Sequence, residues 1–123
     1  MAIVPDTSVI TKNPYIAQVL AELAPLNPAK IILFGSYASG TATADSDLDL
    51  LVVTNSPELP QTYQDKEQIF LEVARRLRDI RRKISIDLIV HTMPMYERFK
   101  EMNSAFARDI EQKGILLYES DHA

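Results

Sequence analysis

The chain is 123 residues long, 46% hydrophobic and 24% charged, with a formal net charge of −4, which fits one domain of modest core size (1–123, core about 13–119) and leaves no room for a second. The absence of cysteine excludes a disulfide framework and thiolate metal sites, and the acidic balance argues against broad nonspecific DNA binding. No apolar stretch approaches membrane-spanning length, and Met1 to Ile10 lacks the basic start and apolar centre of a signal peptide, so a soluble, cytoplasmic protein is expected.

The first element is a helix. Asn13-Pro14 supplies a cap and a first-turn proline, and Ile16, Val19, Leu20 and Leu23 recur at helical spacing before Pro25 and Pro28 end it. Lys30-Ile31-Ile32-Leu33-Phe34 is a short β-branched and aromatic run that stops at Gly35, as a buried strand ending in a tight turn does. Gly40, Thr41 and Thr43 carry the chain through a loop to a second strand, Leu48-Asp49-Leu50-Leu51-Val52-Val53. Thr54 to Tyr63 contains Pro57 and Pro60 and is expected as a loop bordering the site described below. From about Gln64 to Lys83, Ile69, Val73, Leu77, Ile80 and Ile84 fall three or four apart and predict one amphipathic helix. Its other face is basic, with Arg75, Arg76, Arg78, Arg81, Arg82 and Lys83 opposed locally only by Asp79. A solvated face is the simpler account of that run; contact with an acidic partner or RNA is the sharper one.

Ile84 to Val90 reads as a third strand whose alternation sets Ile84, Ile86, Leu88 and Val90 against Ser85, Asp87, Ile89 and His91. Pro94 to Met102 carries Tyr96, Phe99 and Met102 at helical intervals, and Ser104 caps a last helix with Phe106 and Ile110 as its stripe. Gly114 stops that helix before an apolar strand, Ile115 to Tyr118, and the tail Glu119 to Ala123 is expected to fray. His91 ends a strand near the site and reads as a strand-end histidine; His122 belongs to the tail. The sum is an α/β (α+β) fold, a small mixed sheet flanked by helices on one side.

The chemistry-bearing pattern is Gly35-Ser36 followed, after ten intervening residues, by Asp47-Leu48-Asp49. Gly35 has no Cβ, so backbone amides there can approach a phosphate closely, and Ser36 adds a hydroxyl donor. Asp47 and Asp49 share one face of a strand about 6.6 Å apart along the backbone, a spacing from which carboxylates can straddle two Mg²⁺ ions roughly 3.5–4 Å apart. An Asp-x-Asp after a turn is by itself an ordinary cap or loop feature. Its company decides the matter: a Gly-Ser pair ending an apolar strand, and a further acid, Asp87, inside another apolar strand where an unpaired carboxylate is expensive to bury. Side by side, the three acids would repel one another until divalent cations neutralise them.

The stretch Gly35 to Gly40 and Ser46 to Leu50 resembles the signature of the DNA polymerase β-like nucleotidyltransferases. The ten-residue spacer and short chain make it most similar to the minimal nucleotidyltransferase antitoxins paired with HEPN-domain toxins, over roughly Asn13 to Glu119. The resemblance, more than periodicity, sets the sheet topology. It implies nucleotide binding by Gly35 and Ser36, metal binding by Asp47 and Asp49, and a third acid, Asp87, that joins the metal set and helps ionise the attacking hydroxyl. Many relatives carry Arg where this chain has Ser39, and some also where it has Tyr37, so the usual cation is missing beside the phosphates. The implied activity is Mg²⁺-dependent transfer of AMP from ATP to a tyrosine hydroxyl of a cognate HEPN RNase toxin in a hetero-oligomer, silencing it. No membrane and no direct nucleic-acid contact are implied. The alternatives are a noncatalytic antitoxin that neutralises by binding, and a nucleotidyltransferase acting on RNA ends or a small molecule.

Overall fold

A computed structural model describes residues 13–43 and 45–120. The expectations for Met1 to Ile10 and for His122 fall outside them. Helix α1 (Pro14–Leu23) begins where Asn13 accepts the Tyr15 amide at 2.9 Å, and buries Ile16, Val19 and Leu23. A 3₁₀ turn (Ala24–Leu26) and the left-handed Asn27 then lead into the sheet.

Four strands form that sheet: β1 (Lys30–Phe34), β2 (Leu48–Val53), β3 (Ile86–His91) and β4 (Ile115–Glu119), in the order β3-β2-β1-β4. The pairs β1–β2 and β1–β4 are antiparallel and β2–β3 is parallel, so the sheet is mixed as expected. The parallel pair needs a crossover, supplied by helices α3 (Tyr63–Arg76) and α4 (Arg78–Arg81). These directions bring the end of β1 and the starts of β2, β3 and β4 to one end of the sheet.

Helices cover both faces of the sheet, not one. Ile31, Leu33, Leu48, Leu50, Val52, Ile86, Leu88 and Val90 pack with α1 and α3. Ile32, Phe34, Leu51 and Val53 form a second cluster with Tyr96 of α5 (Met93–Glu101) and Ile110 of α6 (Ala105–Lys113). The cause is legible in β1 and β2, whose alternate positions are apolar on both sides; such strands need cover on both faces.

Four further expectations change. The helix from Gln64 to Lys83 breaks at Leu77 (φ −99°, ψ 5°), which lets Leu77 and Ile80 both reach the core while Ile84 is released toward β3. The loop from Thr54 follows the end of β2 and therefore lies at the opposite end of the sheet from Asp49. His91, in register with Val53, is at that far end as well. The tail is ordered further than expected: Glu119 pairs with Lys30 at 3.6 Å and Ser120 donates its amide to the Ala29 carbonyl.

The basic run is exposed throughout, with Arg76 donating to the Glu22 carbonyl at 2.9 Å and Arg82 3.9 Å from Asp79. Met102 is exposed while Tyr96 is buried. Among the described residues no helix is long and apolar enough to cross a membrane.

Candidate nucleotidyl-transfer site

Gly35 leaves β1 with φ 73° and ψ −150°, a conformation that L side chains rarely adopt. The expected turn is the cap of a one-turn helix, α2 (Ser36–Ser39), closed at its other end by the left-handed Gly40. The Ser39 amide returns to the Gly35 carbonyl at 3.0 Å and that of Thr41 to the Ser36 carbonyl at 3.0 Å. The first amides of α2, from Ser36 onward, precede any intrahelical acceptor.

A Cβ on Gly35 would collide with a carboxylate oxygen of Asp49 and stand 2.9 Å from its Cγ. The Gly35 backbone therefore lies directly against the Asp49 side chain. Phe34, Asp49 and Asp87 occupy one row of the register across β1, β2 and β3, so the two acids project from the same sheet face. Neighbouring strands lie about 4.8 Å apart, which sets the separation of their backbones. Asp47 precedes β2 and is exposed, as is Asp87, whereas Asp49 is half-buried.

The electrostatics reflect this crowding. Burial raises the Asp49 carboxyl above its ordinary 3.8, and the charges of Asp87 and Asp47 push it the same way. The ion pairs among the described residues join Lys30 to Glu119, Arg82 to Asp79, Lys100 to Glu97 and Lys113 to Asp109, and include none of the three acids.

The donor set fits a hard divalent cation, since it offers carboxylate oxygen alone. Among the described residues no three acidic, His or Cys side chains enclose a metal position by themselves. An open acidic face of this kind suits Mg²⁺, which keeps several waters and takes one or two carboxylates together with substrate phosphates.

Next to the acids, Phe34, Gly35, Ser36, Ser39, Thr41, Asp109, Lys113 and Gly114 line a cleft of about 280 Å³. Gly35 and Ser36 thus line one recess, and Asp47, Asp49 and Asp87 stand at the same sheet end. Sequence reasoning missed Lys113, Asp109 and Thr41. The signal would have been the antiparallel pairing of β4 with β1, which sets Ile115 opposite Leu33 and brings Lys113 to the Gly35 turn. His91 lies apart from the acids: it packs on Tyr96 and Phe99, its buried Nδ1 has no hydrogen-bond partner among the described residues, and burial lowers its pKa below 6.5.

Residues 14–117 match the nucleotidyltransferase domain family. A Methanocaldococcus jannaschii chain named as a candidate protein adenylyltransferase is 32% identical over 89 residues, covering 72% of this chain and 77% of the relative. A second chain of that organism with the same kind of name is 46% identical over 43 residues, 35% of this chain and 28% of the relative. In fold, the chain is similar to a toxin-antitoxin crystallised with AMP-PNP (TM-score 0.55, 18% identity, 86% of this chain and 74% of the other). It is equally similar to a Sulfolobus solfataricus chain described as a nucleotidyltransferase (TM-score 0.55, 20% identity, 89% and 82% covered). With the family matched across 14–117, the chain belongs to the nucleotidyltransferase domain family.

Proposed function

We propose that this nucleotidyltransferase is a protein adenylyltransferase that moves AMP from ATP to a tyrosine hydroxyl of a cognate HEPN RNase toxin, and thereby acts as its antitoxin in the cytoplasm. The observation that carries the proposal is the Asp49–Asp87 register pair with the Gly35 backbone against Asp49. Among the described residues these acids serve no ion pair, and burial followed by the charges of Asp87 and Asp47 raises the pKa of Asp49, which a structural role does not call for. The names of the two Methanocaldococcus jannaschii relatives support protein as the acceptor class, and the toxin-antitoxin neighbour supports the partner class.

In this account Gly35 and Ser36 receive the triphosphate, and Asp47, Asp49 and Asp87 would hold Mg²⁺. When bound, Mg²⁺ supplies charge neutralisation to the phosphates and a lowered pKa to the acceptor hydroxyl. The hydroxyl oxygen attacks the α-phosphorus, a new P–O bond forms, and the bond to the bridging oxygen of the β-phosphate breaks. Pyrophosphate leaves with the electron pair. Asp87, on the exposed edge strand where an acceptor can approach, takes the hydroxyl proton on its carboxylate.

The test is to incubate the chain with labelled ATP, Mg²⁺ and the protein encoded beside it, and to repeat with Asp47→Asn and Asp49→Asn. Label on the neighbour that disappears in both variants supports the enzyme. Full neutralisation of the neighbour by both variants without label supports an antitoxin that works by binding alone.

A further inference from the structure

The sheet order sets a gradient of charge along one end of the molecule. Asp87 starts this row on β3, Asp49 follows on β2, Gly35 and Ser36 come at the end of β1, and Lys113 stands just before β4. Three strand spacings of about 4.8 Å separate the acidic edge from the approach to β4, roughly 14 Å in all. A polyphosphate laid along this row meets the acidic, cation-requiring end first and a fixed positive charge last. Ser36, Ser39 and Thr41 line the same cleft between them, with Ser39 Oγ and Thr41 Oγ1 3.0 Å apart.

Resting on the nucleotidyl-transfer reading above, we propose that Lys113 binds the terminal phosphate of the nucleoside triphosphate, and that Asp109 restrains Lys113 until the nucleotide enters. Lys113 Nζ lies 3.2 Å from Asp109 Oδ1, one helical turn back, and both side chains line the cleft. Their side-chain exposures are 65% and 50%, so this is a screened surface pair that holds its partners weakly. A terminal phosphate is a stronger competitor than one half-exposed carboxylate because it presents several charged oxygens at once. Lys113 is the only cation lining the cleft among the described residues, which makes it the feature that separates a triphosphate from a monophosphate.

Binding of ATP and of AMP to the full chain, measured by calorimetry without an acceptor, tests the assignment. Lys113→Gln is expected to weaken ATP about tenfold and to leave AMP within about twofold, while Lys113→Arg stays within about threefold of wild type for ATP. Asp109→Asn is expected to tighten ATP about two- to threefold, because it removes the competing partner. If the pair were only a structural bridge, breaking it from either side would shift melting temperature in the same direction and leave ATP binding unmoved. Unchanged ATP binding in Lys113→Gln, equal weakening of ATP and AMP, or weaker ATP binding in Asp109→Asn overturns the assignment alone. A wild-type chain that binds neither nucleotide overturns it together with the reading beneath it.

Discussion

The backbone of Gly35 rests against the carboxylate of Asp49, so that the residue proposed to receive phosphate and the residue proposed to hold metal share one contact. No side chain fits between them. Gly35→Ala would add both a collision with Asp49 and a positive φ that alanine adopts at a cost of about 1–3 kcal/mol. Such a variant is expected to lose about that much stability by denaturant titration, and to lose label transfer even at temperatures where it remains folded. A Gly35→Ala chain with wild-type transfer would show that the contact is incidental.

The three acids place function in opposition to stability. Ionised Asp49 is opposed by burial and then by Asp87 and Asp47, and its raised pKa means that protonation favours the folded chain. Asp49→Asn should therefore raise stability at neutral pH, by about 0.5–1 kcal/mol once solvent screening of these half-exposed groups is allowed for, while transfer is lost. Mg²⁺ should stabilise the wild type and have a smaller effect on Asp49→Asn, because a ligand that binds only the folded state adds stability by mass action. Melting curves with and without Mg²⁺ measure both effects; destabilisation by Asp49→Asn would mean the carboxylate is held by a favourable partner.

His91 predicts a pH dependence unconnected with transfer. Its imidazole packs against Phe99, with ring centroids 5.2 Å apart, and burial lowers its pKa below the usual 6.5. The unfolded chain then binds the proton more readily, so this contribution to stability is complete above about pH 6.5 and is lost as pH falls toward the folded value. The melting temperature of wild type should drop more steeply between about pH 7 and pH 5 than that of His91→Phe. Parallel profiles would place the titration elsewhere.

Much of this was readable from residue pattern. Asn13-Pro14 marked the first helix and the four apolar runs marked the strands, whereas the burial cost expected for Asp87 does not arise, because its side chain is exposed on the edge strand. What one-dimensional pattern could not supply was the order of strands. Without the β1–β4 pairing nothing places Lys113 beside Ser36, and without the parallel β2–β3 pairing nothing removes His91 from the acids. The second covered face was implicit in β1 and β2, where apolar residues stand at successive positions, yet the helices that cover it carry only short stripes, Tyr96 with Phe99 and Ala107 with Ile110. The break at Leu77 has no Pro or Gly to announce it; it follows from tertiary packing of Leu77 and Ile80, which periodicity alone reads as one continuous helix.

The central claim is that the α-phosphate of ATP becomes part of the product while the β- and γ-phosphates depart. Two parallel incubations with the candidate acceptor, one with ATP labelled at the α-phosphorus and one with ATP labelled at the γ-phosphorus, measure this directly. Stable label on the acceptor from the α-labelled nucleotide and none from the γ-labelled one is the predicted result. Label arriving from the γ-position would make the chain a phosphotransferase and contradict the account.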